Sequence, residues 1–187
     1  MKGIANLLER PVVVQDPHAK SLSFYCTEGV VAIDRDVVRN LVKVGMTHGQ
    51  GRARICLHTA PTANFHEMLV VEHRDGYYRP HRHQQKSESC HIIEGRAVMC
   101  IFNDAGELTQ AYKLGPRHHL VCRVEADRWH TVIPLTPYVV YVESKPGPFV
   151  GPADSVYPAW APDARQASPA QYRQALQQRI QQMAGRA

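Results

Sequence analysis

Apolar positions along the chain fall mostly in short runs with a strand rhythm. Residues 12–14 and 22–25 read as early strands, and 28–33 as another after the next turn. One helix interrupts them. Asp34 is placed to cap it, and Val37, Val38, Leu41 and Val42 repeat at the i, i+3/i+4 spacing of a half-buried helix. Gly45 and the glycines at 49–51 are expected to end it. From 54 to 143 the rhythm is β throughout. Apolar runs at 68–71, 91–93, 97–102, 120–124 and 139–142 alternate with turn signals at 74–76, 94–95, 104–106 and 115–116. Many short strands at regular spacing predict a sandwich or small barrel.

After Ser144 the pattern changes. Six of the 13 prolines fall between Pro146 and Pro169, so this stretch cannot be a central strand. Phe149, Tyr157 and Trp160 interleave with them, which predicts an extended strap pinned to the barrel by its aromatics. A final helix follows, with Ser168 as N-cap, Pro169 at its first position and Gln171 completing a capping box. Tyr172, Leu176, Ile180 and Met183 form its apolar stripe, expected to cover the domain's own flank, and Gly185 ends it. The division is therefore an N-terminal extension (1–27), a barrel with its preceding helix (28–145), the strap (146–168) and a C-terminal amphipathic helix with its tail (169–187).

Composition narrows the class. The 187 residues are 44% hydrophobic and 21% charged, the balance of one globular domain. No run of 18 apolar residues offers a membrane span, and Glu9 and Arg10 interrupt any signal-like segment, so a cytoplasmic protein is expected. The net charge of +5 is scattered, without a basic run or nucleic-acid module, which argues for a small-molecule ligand and against nucleic acid. The five cysteines (Cys26, Cys56, Cys90, Cys100 and Cys122) form no CxxC pair and read as reduced thiols. Histidine stands out, with 11 residues.

The informative segment is Gly76-Tyr-Tyr-Arg-Pro-His81-Arg-His83-Gln-Gln-Lys-Ser-Glu88, followed after six residues by Gly95. On a strand, His81 and His83 project from one face and can reach a single ion. A bend after His83 returns Glu88 to the same interior, and Gly95 makes a hairpin. Trp129-His130-Thr131 on a later strand offers a fourth ligand. Three imidazoles and one carboxylate suit one divalent ion such as Zn, Fe, Mn or Ni. A six-coordinate ion would keep two positions for water or substrate.

This segment resembles the first motif of the cupins, and His130 falls where their second motif supplies its histidine. More narrowly, the chain resembles the WbuC-type cupin-fold metalloproteins. The matching residues are Arg-Ala-Arg-Ile-Cys-Leu-His at 52–58, Pro80-His-Arg-His, Lys86-Ser-Glu-Ser, His91-Ile-Ile-Glu-Gly95 and Phe102-Asn-Asp-Ala-Gly106. Trp129-His-Thr-Val, Gly147-Pro-Phe149 and Pro158-Ala-Trp-Ala-Pro162 continue the match, which covers about residues 28–163. The resemblance implies a mainly β, double-stranded β-helix (jelly-roll) barrel with the metal inside. It also implies an association with bacterial surface-polysaccharide (O-antigen) gene clusters. The general second motif has PxG before its histidine and Asn after it, where this chain has Glu125, Asp127 and Pro134.

Three functions follow as expectations: a metal-dependent enzyme on a sugar or nucleotide sugar, an Fe(II) dioxygenase-type cupin, and a non-enzymatic metal- or ligand-binding module. The ligand set contains no free base, for which Glu94, Tyr77 and His66 are the candidates. Arg54, Arg79, Lys86 and Tyr77 are the candidate substrate-binding residues, the three cations for an anionic group on a sugar. His58 and His66 read as hydrogen-bonded core or edge histidines, and His118 and His119 as opposite faces of one strand. Cys90 and Cys100 read as inert thiols. A homodimer through edge strands is expected, because pairing protects those edges.

Overall fold

The computed structural model describes residues 11–48, 51–165 and 168–184. Glu9, Arg10 and Gly185, on which sequence expectations fell, lie outside them. Among the described residues, ten strands and two α-helices run in the order β1 (Val13–Gln15), β2 (Leu22–Cys26), α1 (Arg35–His48), β3 (Arg52–Cys56), β4 (Phe65–His73), β5 (Glu88–Glu94), β6 (Ala97–Phe102), β7 (Leu108–Leu114), β8 (Val121–Val124), β9 (Trp129–Pro134), β10 (Tyr138–Pro146) and α2 (Pro169–Ala184). Seven strands form one sheet in the order β1-β2-β3-β4-β10-β5-β8, and β7-β6-β9 form a second.

Strand alternation sorts side chains between three apolar layers. On the large sheet, Ile55, Leu69, Val71 and Val140 face out and pack with Val37, Val38, Leu41 and Val44 of α1. Their neighbours Cys56, Met68, Val70, Val139 and Tyr141 face in and join Met99 and Leu114 of the small sheet to fill the barrel. The outer face of the small sheet (Val98, Cys100, Phe102, Ile133) is covered by Leu176 and Ile180 of α2, as the stripe predicts. α1 is the crossover that lets β2 and β3 pair in parallel. Its start is the expected one: the Asp34 carboxylate accepts the N–H groups of Asp36 and Val37, each at 2.9 Å.

Several expectations change. The stretch 28–33 is no strand: β2 already has partners on both edges, and Val30 is 88% exposed. α1 runs through Gly45, which is buried against Ala53. His118 and His119 lie in the connection after β7, where only His119 bridges, to Leu114. The strap is held chiefly by one of its three aromatics. Trp160 packs on Phe102 and Trp129, with ring centroids 5.2 and 6.0 Å apart, while Phe149 and Tyr157 remain half exposed. Gly106 admits that packing. Its φ is +81°, and a Cβ there would stand 2.6 Å from the Trp160 ring.

Candidate metal centre

His81 and His83 do not lie on a strand. The segment between β4 and β5 is irregular, and Pro80 cannot donate to a ladder. One antiparallel pair survives: His81 and His130 exchange backbone hydrogen bonds of 3.0 and 2.9 Å, and Arg82 exchanges a pair with Val156 of the strap. This short pleat is enough to aim His81 and His83 at the same place. Glu88 opens β5 and His130 is the second residue of β9. The four ligating atoms lie within 4.8 Å of one another, and His83, Glu88 and His130 are buried. The spacing argument thus brings its four residues together by a different local route.

The histidines are oriented for an ion. The Nδ1 atom of each ring faces a backbone carbonyl: Arg79 for His81 at 3.3 Å, Asp154 for His83 at 2.5 Å and Arg128 for His130 at 2.7 Å. A proton on each Nδ1 leaves Nε2 with its lone pair toward the cluster. Nε2 of His83 lies 3.1 Å from one Glu88 oxygen, and Nε2 of His130 lies 2.8 Å from the other. Yet His130 Nε2 and Glu88 Oε2 are buried without a hydrogen-bond partner. With that tautomer, lone pairs face lone pairs in a buried site, and a cation between them relieves this; a proton on His130 does so for one pair, whereas a divalent metal does so for all four donors, so the set fits a metal.

Electrostatics agree. Burial opposes ionisation of Glu88, but His130, His83 and the nearby Lys145 ammonium outweigh it and hold the carboxyl well below its usual range. Burial also opposes protonation of His130, but Glu88 at its Nε2 raises its affinity for a proton. Burial, then the neighbouring His130, keeps His81 neutral. Asp127 supports the turn into β9. It stands where the general cupin motif carries glycine and adopts φ 62°, with its N–H donated to the His83 carbonyl at 2.7 Å.

The expected substrate-binding residues mostly have structural partners. Tyr77 donates its hydroxyl to the Pro162 carbonyl at 2.8 Å. Arg79 reaches Asp163 and the Pro158 carbonyl, at 3.3 and 3.0 Å. Lys86 is tied to Asp154 and to the Pro148 carbonyl. These three fasten the strap. Arg54 donates to Ser23 at 2.8 Å and turns inward with Cys56. Of the candidate bases, Glu94 ends β5, about 20 Å along the strand from Glu88, and accepts from Tyr138. His66 is the second residue of β4, stacked on His58 with centroids 4.1 Å apart. Gly147 admits the strap there, since a Cβ would fall 1.8 Å from the Ala63 carbonyl oxygen.

Sequence reasoning missed two groups. Lys145 points into the barrel with its Nζ 3.4 Å from His83 Nε2 and 3.1 Å from Glu143. Burial would weaken its charge, but Glu143, Glu88 and Asp154 more than compensate and raise its pKa. Asp154, in the Gly151–Asp154 turn, places its carboxylate between Lys86 and Lys145 while its carbonyl orients His83. The alternation of inward Val139 and Tyr141 along β10 could have found Lys145. Nothing local marks Asp154.

The chain folds as a cupin barrel, mainly β and carrying a candidate divalent-metal centre. CapF, solved with the inhibitor 3-isopropenyl-tropolone, superposes with a TM-score of 0.50 and 13% identity over 58% of this chain and 32% of CapF. CapF of Staphylococcus aureus, a capsular polysaccharide assembling protein, gives 0.48 at 14% identity over 56% and 29%. KdgF from Halomonas sp. gives 0.43 at 14% over 53% and 82%. This chain therefore spans about a third of the length of CapF. Residues 33–114 match a family described as a domain of unknown function, DUF6016. No curated protein sequence matches the chain. Among the described residues, no helix is long and apolar enough to cross a membrane.

Proposed function

We propose that His81, His83, Glu88 and His130 hold one divalent ion, and that the protein is a WbuC-type cupin enzyme acting on a sugar or nucleotide sugar in bacterial surface-polysaccharide synthesis. The observation that carries the metal reading is the convergence of three imidazoles, each with Nδ1 on a backbone carbonyl, around a buried carboxylate. The sugar reading rests on the WbuC-type resemblance, including the Trp160 strap that packs beside the site. A bound ion supplies Lewis acidity to a substrate carbonyl or hydroxyl. Lys145 is the protein group placed to donate a hydrogen bond to an oxygen developing charge there, and His66 stands at the same end of the barrel. The cytoplasmic location and the homodimer belong to the same proposal, the latter supported by exposed Val14 on the open edge strand β1.

Metal analysis by ICP-MS on untagged protein tests this. About one ion per chain is expected, falling well below that in Glu88→Gln and His81→Ala. Unchanged metal content in both variants would show that the ion is elsewhere. Stoichiometric iron with O₂ uptake on substrate would replace the sugar chemistry with the dioxygenase reading.

A further inference from the structure

The strap packs over the end of the barrel nearest the four ligands. Val156 bridges Arg82, the Asp154 carbonyl takes His83, and Tyr77, Arg79 and Lys86 bind the strap on either side. Of the four ligands only His81 keeps some exposure there, and a second approach lies between the sheets. The two sheets are not hydrogen-bonded to each other between β7 and β8, and this seam holds a cavity of about 670 Å³ that opens to solvent.

Register sets the cavity beside the site, one residue layer from the ligands, none of which lines it. Ile101 pairs with His130 and Val124 pairs with Glu88. Directly paired residues project to the same face, with Cβ atoms about 5 Å apart. Since His130 and Glu88 face the cluster, Ile101 and Val124 flank it, and both line the cavity. Farther out the walls are polar. Gln110 and Tyr112, in register with inward Ile101 and Met99, bring an amide and a phenol, and Arg128 brings a guanidinium with no ion-pair partner among the described residues. Arg123 and Glu125 also line the cavity but pair with each other at 2.8 Å, so an apolar floor, hydrogen-bonding groups and the Arg128 cation suit a polyhydroxylated molecule of sugar size that carries an acidic group.

We propose that the seam between β7 and β8 is the ligand-binding cleft of the metal centre and takes a sugar acid or similarly anionic saccharide, with Arg128 at its acidic group. This rests on the metal reading above for the centre it serves, but binding in the cleft can be measured without metal. Cys122 gives a way to plug the cleft. It lines the cavity and is the one partly exposed cysteine, the other four being buried.

The test is saturation-transfer NMR with D-glucuronate as probe, on protein before and after alkylation with pyrenylmaleimide. Glucuronate is expected to bind the unmodified protein, to lose its signal after alkylation, and to keep it in Cys122→Ser treated identically. Arg128→Gln should weaken binding at least fivefold, and Gln110→Trp, a second plug, should reproduce the effect of alkylation. No glucuronate signal in the unmodified protein would overturn the ligand class. A signal unaffected by plugging would overturn the cleft. Metal content measured on the same samples decides the metal reading separately. In Mn(II)-loaded protein, bound glucuronate protons should relax faster, and unaltered relaxation would detach the cleft from the centre.

Discussion

Replacing Asp154 by Asn tests how the strap is fastened over the metal centre. The carboxylate is 3% exposed and lies between two ammonium groups that are themselves largely covered, Lys86 at 13% and Lys145 at 11%. Burial disfavours its charge, but the Lys86 contact and the Lys145 charge prevail and lower its pKa. Lys145 Nζ lies 3.9 Å away, which corresponds to a gross attraction of about 4 kcal/mol at an effective dielectric of 20. Lys86 is closer and adds a charged hydrogen bond. Desolvation offsets much of this, and removing one partner of such a cluster typically costs about 3 kcal/mol, because the remaining charges stay buried.

Asn keeps the shape and the backbone carbonyl that holds His83, so the loss isolates the charge. At about 2–4 °C per kcal/mol for a domain of this size, metal-free Asp154→Asn should melt roughly 6–12 °C lower. The assay is thermal unfolding followed by circular dichroism, with metal removed so that ion binding does not mask the change. The decisive companion is Asp154→Asn combined with Lys86→Met. If the cost comes from a stranded ammonium, removing Lys86 as well should restore part of the stability. A single variant as stable as the parent, or a double variant less stable than the single, would refute this account.

Two further outcomes are expected. Burial, then the charge of stacked His66, lowers the His58 pKa to about 4, so the folded protein keeps this ring neutral while the unfolded chain protonates it below about 6.5. Stability from this group is therefore complete above pH 6.5 and declines as pH falls toward 4, by about 3 kcal/mol as a ceiling and roughly 2 kcal/mol once solvent screening of this half-buried ring is allowed for; His58→Gln should remove about one proton from that dependence in urea unfolding at pH 4.5, 5.5 and 6.5, and a pH-independent difference between the two proteins would count against it. Gly106→Ala combines a strained φ with a clash against Trp160; a loss of about 1–2 kcal/mol with a red-shifted tryptophan emission is expected, and unshifted emission would mean that the ring does not depend on this glycine.

The parts of the molecule readable from the sequence are those set by short-range periodicity. Alternation located β6 residue for residue, and the Asp34 cap and its stripe located α1. The four candidate ligands were readable because three lie within eight residues and the fourth follows a tryptophan on a strand. Of the supporting groups, Lys145 follows from the alternation of β10, but Asp154 does not: its carbonyl meets His83 across 71 residues. Contacts at that range depend on the path of the strap, and proline content says that a segment is extended without saying where it docks. The surroundings of the substrate-binding candidates were hidden for a related reason: cations near a metal motif look free on paper, whereas Arg79 and Lys86 find carboxylates supplied by the strap.

The three Nδ1 acceptors show why this matters for function. Two belong to the approach to each histidine, since Arg79 precedes His81 and Arg128 precedes His130, and these are fixed as soon as the barrel forms. The third comes from the strap, so His83 acquires its orientation only when Asp154 docks. Docking in turn depends on Trp160 reaching Phe102 and Trp129, on the outer face that α2 also covers. On the proposed metal reading, metal affinity and strap attachment are thus linked: whatever holds the strap down would favour the binding orientation of His83, and an ion bound by His83 would hold the strap down by the same free energy. The strap and the C-terminal helix, which contribute none of the four candidate ligands, thereby become part of the centre.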